Sequence, residues 1–425
     1  MKKVWAICLT AALTAGLLAG CGGAKTSDTA GESVSTETPA GEEKKEGDLS
    51  VLLLVPGTLG DKSFFDSANA GLALIEENYS ASTKVVEMGT DITKYSATLE
   101  DVINEGWDII ITGGVNISQP LQEAAEEYPD QKFILYDESV DFSDGANSNI
   151  YCMTYKCYEG GYLAGVLGAS ASKTGQLGFA GGFDIPLIND WLVGYIEGAK
   201  VVNPDIKINT GYMNSFTDAA KGKEIGIALY NAGADIVFQA AGGAGLGVLD
   251  AAKETGNHAI GTDSDQSELF SSDEKKADAI YASILKRVDI SIDKAVGDYL
   301  DGKLEFGTVK TYGLSDGCIE ITDNSWYQKN VPAEAREKVA EAKQNILYAL
   351  TAGYTDTNIL ENTWDGSDFI FDFLNVSKKG YSVHFASAAV MMFRYYGIPA
   401  RYVEGYLITP DDVSAMTEGG SYVLD

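Results

Sequence analysis

Histidine is nearly absent from this chain: only His258 and His384 occur in 425 residues. Chemistry that relies on an imidazole base therefore has few places to reside. Basic side chains are scarce as well, 31 against 62 acidic, for a formal charge of -31. That balance argues against capture of nucleic acid or of an anionic membrane surface by charge, and solubility is its plain reading. Cysteine is sparse: beyond the N-terminal pair Cys8 and Cys21, only Cys152, Cys157 and Cys318 remain. An odd, thin set argues against a disulfide framework and predicts buried free thiols. The uncharged N-terminal run "VWAICLTAALTAGLLAG" is too short for a comfortable bilayer span. What the chain does have is 45% hydrophobic content over 425 residues, enough for large cores divided among two or three domains.

Met1-Lys2-Lys3, the apolar run and the small residues before Cys21 form an export signal over residues 1–20. The stretch Leu18-Ala19-Gly20-Cys21 resembles a bacterial lipobox, which implies a lipid on Cys21 as the mature N-terminus. The expected location is then the extracytoplasmic face of the cell membrane, held by two or more acyl chains. After Cys21, "GGAKTSDTAGESVSTETPAGEEKKEGD" has a single valine as its only large aliphatic residue and cannot bury enough surface to fold. Residues 21–48 are therefore expected to be the lipidated cysteine and a flexible tether.

From Leu49 the chain alternates short apolar runs with amphipathic stretches: "LSVLLLVP", "WDIIITGG" and "KFILYD" in a first series, "GQLGFAGG", "ADIVFQAAGG" and "HAIGTDSD" in a second. Continuous apolar strands separated by helices predict α/β architecture with parallel sheets covered on both faces, here in two lobes. Ligands of such sheets bind beyond the carboxyl ends of the strands. "GGAGLG" at 242–247 invites a dinucleotide reading, with a helix expected near 246–256, but Val248 occupies the place of the last required glycine. Asp263 in "GTDSDQ" stands where a carboxylate can accept bonds from vicinal hydroxyls, and Lys286 in "ASILKRVD" can donate to the same sugar.

Several ordered motifs across residues 49–346, among them "GDKSFFDSANAGL", "YEGGYLAGVLGA", "SFTDAAKGKE" and "AIGTDSDQ", resemble the basic membrane protein family of lipoproteins. The best-known members are purine nucleoside receptors serving ABC importers. The resemblance implies a type I periplasmic-binding-protein-like fold over residues 49–350, a nucleoside closed between two lobes, delivery to an ABC permease, and a monomer without cofactor or metal. It implies that Phe64 stacks on the base with Phe216 on the opposing face, that Asp137 bonds base nitrogens, and that Gly242, Gly243, Asp263 and Lys286 meet the ribose. Where many members carry an acid before the Gly-Gly turn and Asn after "DKSF", this chain has Pro56 and Phe65. Another nucleoside, or a similar small polar ligand, thus stays open.

Beyond "AKQNI" the pattern changes, and "FIFDFLNVSKKGYSVHFASAAVMMFRYYGIPARYVEGY" resembles the core of transglutaminase-like cysteine peptidases. Residues 351–425 are expected to be an incomplete, partial transglutaminase-like α+β segment. In that family a cysteine opens the helix, where helix N-terminal amides lower its pKa. Here Ser382 stands at that position, and a hydroxyl needs a base far more than a thiol does. His384, two positions along a helix, is turned roughly 200° away from it. The competing reading is a tethered transglutaminase-like peptidase or transferase seen in part. Our expectation is that amine-transfer and hydrolysis assays on the chain give no turnover, whereas turnover abolished by Ser382→Ala would establish the enzyme.

Overall fold

The computed structural model describes residues 49–351 and the paired dipeptides Thr355–Asp356 and Lys379–Gly380. The signal, Cys21, the tether, Ser382 and His384 lie outside the described residues. Among the described residues no helix is long and apolar enough to cross a membrane.

Two six-stranded sheets organise the chain. The strands are β1 (Ser50–Val55), β2 (Ser82–Glu87), β3 (Ile109–Gly113), β4 (Lys132–Tyr136), β5 (Ile150–Tyr155), β6 (Gln176–Gly181), β7 (Lys207–Tyr212), β8 (Ile236–Ala240), β9 (His258–Asp263), β10 (Ile280–Lys286), β11 (Thr308–Tyr312) and β12 (Ile319–Ile321). The first lobe has the order β11-β5-β4-β3-β1-β2 and the second β12-β10-β9-β8-β6-β7. Every pairing in them is parallel except β10 with β12. All residues of β1, β3 and β8 are buried, because helices cover both faces of each sheet and leave no strand face for water. The edge strand β2, "STKVVE", is half-exposed throughout, and its mixed composition hid it from a search for apolar runs. Cys152, Cys157 and Cys318 are free and buried, as their small number suggested.

The chain crosses between lobes three times: after β5 at Lys156, after β10 at Arg287, and after β11 at Gly313. Backbone bonds tie the crossings side by side. Lys156 N–H donates to the Tyr312 carbonyl and Arg287 N–H to that of Cys318, each at 2.8 Å. Glu159, buried, accepts the Leu314 N–H at 2.7 Å and faces the Lys156 ammonium at 3.6 Å.

Glycine explains how the second lobe packs. In "YEGGYLAGVLGA" on the Cys157–Ala171 helix, a Cβ at Gly165 would collide with the Tyr195 carbonyl of the Pro186–Val202 helix. Reciprocally, a Cβ at Gly198 would collide with the Tyr162 carbonyl. The two backbones touch, so the contact has no room for a side chain. "GGAGLG" serves the same end. The helix begins at Gly242 rather than near 246, and a Cβ at Gly247 would strike the Ala219 carbonyl of the neighbouring Ala219–Asn231 helix. The Ala244 N–H, which a phosphate cradle would present to a ligand, is taken by the Phe216 carbonyl at 3.0 Å. Gly165→Val should lower stability by about 1–3 kcal/mol or more through overpacking, read as a reduced urea midpoint at little changed slope; an unaltered midpoint would mean that the helices are free to separate.

Candidate functional site

A cavity of about 320 Å³ opens between the lobes, beyond the carboxyl ends of β1, β3 and β4 on one side and of β6 to β10 on the other. Phe64, Asp137, Phe216, Gly242, Gly243, Asp263 and Lys286 all line it. The seven positions singled out from sequence are therefore neighbours in space, although 222 residues separate the first from the last.

Its polar end is built from three buried charges. Lys286, the last residue of β10, donates from Nζ to Asp137 Oδ2 at 2.7 Å and faces Asp263 Oδ1 at 3.6 Å. Asp137 follows β4 and Asp263 ends β9, and both have left-handed backbone, φ 61° and 67°. Asp is among the few side chains that tolerate this conformation. Ser63, which stands in the N-cap position of the Phe64–Tyr79 helix, does not cap it; its hydroxyl donates across the cleft to Asp263 Oδ2 at 2.6 Å. The Ser264 hydroxyl returns a bond to the Ser63 carbonyl at 3.0 Å. The lobes thus meet through polar contacts as well as around the cavity.

Capping of that helix passes to Asp61, which the sequence reading did not single out. Its carboxylate accepts the N–H groups of Ser63, Phe65 and Asp66 at 2.9–3.1 Å. Burial nevertheless pushes Asp61 up to about 6, against those three bonds. The sequence signal was present: an acid just ahead of a helix start, here three residues before Phe64, is ordinary capping chemistry. Thr262 was missed for another reason. It points nowhere from sequence, yet it is buried on the cavity wall, and its hydroxyl has no hydrogen-bond partner among the described residues.

Two carboxylates share one ammonium, so this end holds an excess negative charge. Burial pushes Asp137 up to about 6, with Lys286 opposing and Asp263 adding to the shift. Burial also works against the Lys286 charge, but Asp137 and Asp263 outweigh it and keep the ammonium protonated. Asp137 Oδ1 is buried with no partner among the described residues, an acceptor position left for a ligand's donor. One of the three Lys286 N–H donors goes to Asp137, so donation to a sugar, which the sequence suggested, would come from those that remain.

Two aromatic walls flank this cluster. Phe64 lies with its ring under Lys286 Nζ at 4.7 Å and against Tyr136 at 5.2 Å between centroids. Phe216, on the other lobe, is braced by Phe183 at 5.0 Å.

Comparison with known proteins agrees with this geometry. The family described as ABC transporter substrate-binding protein PnrA-like matches residues 49–350. The ABC transporter nucleoside-binding protein BmpA of Lactococcus lactis is 31% identical over 361 residues, 81% of this chain and 97% of its own length. Basic membrane protein A of Borreliella burgdorferi is 32% identical over 300 residues, covering 70% and 85%. Among solved structures, an ABC transporter solute-binding protein from Aeropyrum pernix aligns with a TM-score of 0.63 at 23% identity, over 71% of this chain and 92% of its own, which supports the fold. The transglutaminase-like superfamily matches residues 327–423, overlapping the first match over residues 327–350.

Asp137 has a pKa of about 6 when folded and 3.8 as its ordinary value. A raised folded value means that its stabilising contribution is full below about 3.8 and is lost as pH rises toward about 6. Between those limits the stability of Asp137→Asn should fall less steeply with pH than that of the wild type, by at most one proton, about 1.4 kcal/mol per pH unit. Equal slopes in pH-resolved urea titrations would mean that Asp137 titrates normally.

Proposed function

Because the chain belongs to the PnrA-like family of ABC transporter substrate-binding proteins, we propose that it captures a purine nucleoside between its lobes and hands it to the permease of an importer. The observation that carries this reading is the pairing, in one cavity, of Phe64 and Phe216 on opposite lobes with the Asp137, Lys286 and Asp263 cluster. A flat base buries large area between two rings. The carboxylates at the strand ends supply acceptors for ribose hydroxyls and base N–H groups.

Capture involves no bond making. The lobes hinge at the three crossings, enclose the ligand, and the closed form is what the permease recognises. Ligand charge matters as much as shape. The only cation among the described lining residues is Lys286, and it is already engaged by two carboxylates. A phosphate would enter a cavity of excess negative charge, so the ligand is a nucleoside rather than a nucleotide.

Anchoring by lipid at Cys21 on the outer face of the membrane, with residues 22–48 as tether, suits a receptor that works beside a permease, and we propose it with a monomeric state. The relatives are substrate-binding proteins, and the C-terminal match with Ser382 at the nucleophile position is read as a segment without catalysis.

Isothermal titration with a panel of nucleosides tests the whole reading. At least one purine nucleoside should bind, and its 5′-monophosphate should bind at least about tenfold more weakly. Phe64→Ala or Phe216→Ala should each cost about 1–3 kcal/mol, roughly 5- to 150-fold in affinity. No heat with any nucleoside would overturn the assignment.

A further inference from the structure

We propose that two turns facing each other outside the cavity, residues 62–63 on the first lobe and 264–270 on the second, form an interlobe latch that holds the lobes closed and so sets how long a captured ligand stays. This rests on the capture reading above for the ligand, but the latch itself is made of protein groups alone.

The first turn leads into the Phe64–Tyr79 helix, and the second follows β9. Lys62, Ser63, Ser264, Gln266 and Phe270 stand apart from the cavity lining. Four contacts join the lobes here. Ser63 is fully buried, and its hydroxyl gives Asp263 Oδ2 a charge-assisted bond at 2.6 Å. The Ser264 hydroxyl donates to the Ser63 carbonyl at 3.0 Å, so the two serines bond in opposite directions across the cleft. Gln266 Nε2 makes a longer bond, 3.4 Å, to the Lys62 carbonyl. Lys62 Nζ lies 5.7 Å from the centre of the Phe270 ring, over which Lys276 Nζ also stands at 3.8 Å.

Both halves are held in place by their own lobes. Gln266 is buried, its Oε1 accepts from Gln239 Nε2 at 3.0 Å, and its N–H donates to Ser283 Oγ at 3.1 Å. Lys276 is paired with Asp250 at 2.9 Å. On the first lobe, Lys62 N–H donates to Asp66 Oδ2 at 2.9 Å and Ser63 N–H to Asp61 Oδ1 at 3.0 Å. Lys62 has left-handed backbone, φ 50°, a conformation uncommon for lysine. Such strain persists where the surroundings over-determine it. Here the peptide groups around it are bonded on both sides, and the carbonyl's partner comes from the other lobe.

A contact between protein groups acts with or without a ligand. These contacts must break before the lobes separate, so they slow the opening through which a ligand leaves. Phe64, Phe216 and the charge cluster govern what is bound; the latch governs residence time.

Hydrogen exchange of the full chain without ligand, read by mass spectrometry, tests the latch by itself. Ser264→Ala should speed exchange about fivefold in segments 113–117 and 240–246, which border the cavity, and Ser264→Ala with Phe270→Leu about tenfold. The β4 strand and residues 236–239 should keep wild-type protection. Ser264→Thr retains the hydroxyl and should exchange as the wild type does. With a purine nucleoside that binds in the titrations above, stopped-flow release should quicken by the same factors and be unchanged in Ser264→Thr. Unaltered exchange and release in both Ala variants would overturn the latch. Faster exchange spread equally through β4 and residues 236–239 would also overturn it, by making these residues supports of the fold. If no nucleoside binds, the capture reading falls while the exchange measurement still decides the latch.

Discussion

The ammonium of Lys286 stands between two carboxylates that come from different lobes, and the rest of the binding region is arranged around that contact. Asp137 belongs to the first lobe, Asp263 to the second, and Lys286 is the last residue before the chain crosses at Arg287. All three are at most 7% exposed. Burial of charge is expensive unless each ion is paired and hydrogen-bonded. Here the pairing requires both lobes at once, so closure and charge compensation are a single event. Ser63 reinforces the link by giving up its capping role to bond Asp263 across the cleft.

That compensation is incomplete by one charge and by at least two oxygen positions. The carboxylate oxygen Asp137 Oδ1 and the Thr262 hydroxyl are buried with no hydrogen-bond partner among the described residues. A neutral ligand rich in O–H and N–H donors would satisfy Asp137 Oδ1, and Thr262 can both donate and accept. The interlobe contact and the ligand are thus complementary: protein groups hold the charges, and the ligand supplies the missing neutral donors. Under the proposed function, such hydrogen bonds and the stacking between Phe64 and Phe216 would both favour the closed form.

How much of this was visible in the sequence depends on what each residue does. Parallel strands buried on both faces read as uninterrupted apolar runs, so β1, β3, β4, β6, β8 and β9 and the two-lobed α/β plan were legible. Of the edge strands, β7 was read in "DIKINTGYM", whereas β2 and β11 face water along much of their length and have no apolar run. The candidate residues on the cavity were legible as strand-end acids and loop aromatics supported by motif order. The glycines of "GGAGLG" were legible only in part: Val248 argued against a dinucleotide cradle, while the helix contact they make shows only in the packing. Asp61 and Thr262 stayed hidden for opposite reasons. One looks like any surface acid until the cap it makes is seen, and the other becomes informative only through a missing partner.

The two ends of the cavity differ in the side chains that line them. Stacking on Phe64 and bonds at the strand ends can be made by any nucleoside, since every base has a flat face and every ribose has the same hydroxyls. The end of the cavity beyond β1 and β3 is lined by Pro56, Thr58, Leu59, Phe65, Val115 and Asn116, a mixed surface without a charged group of its own at those six positions. The polar end and the β1 end are set by different strands of the same sheets, so a substitution at one leaves the other's framework in place.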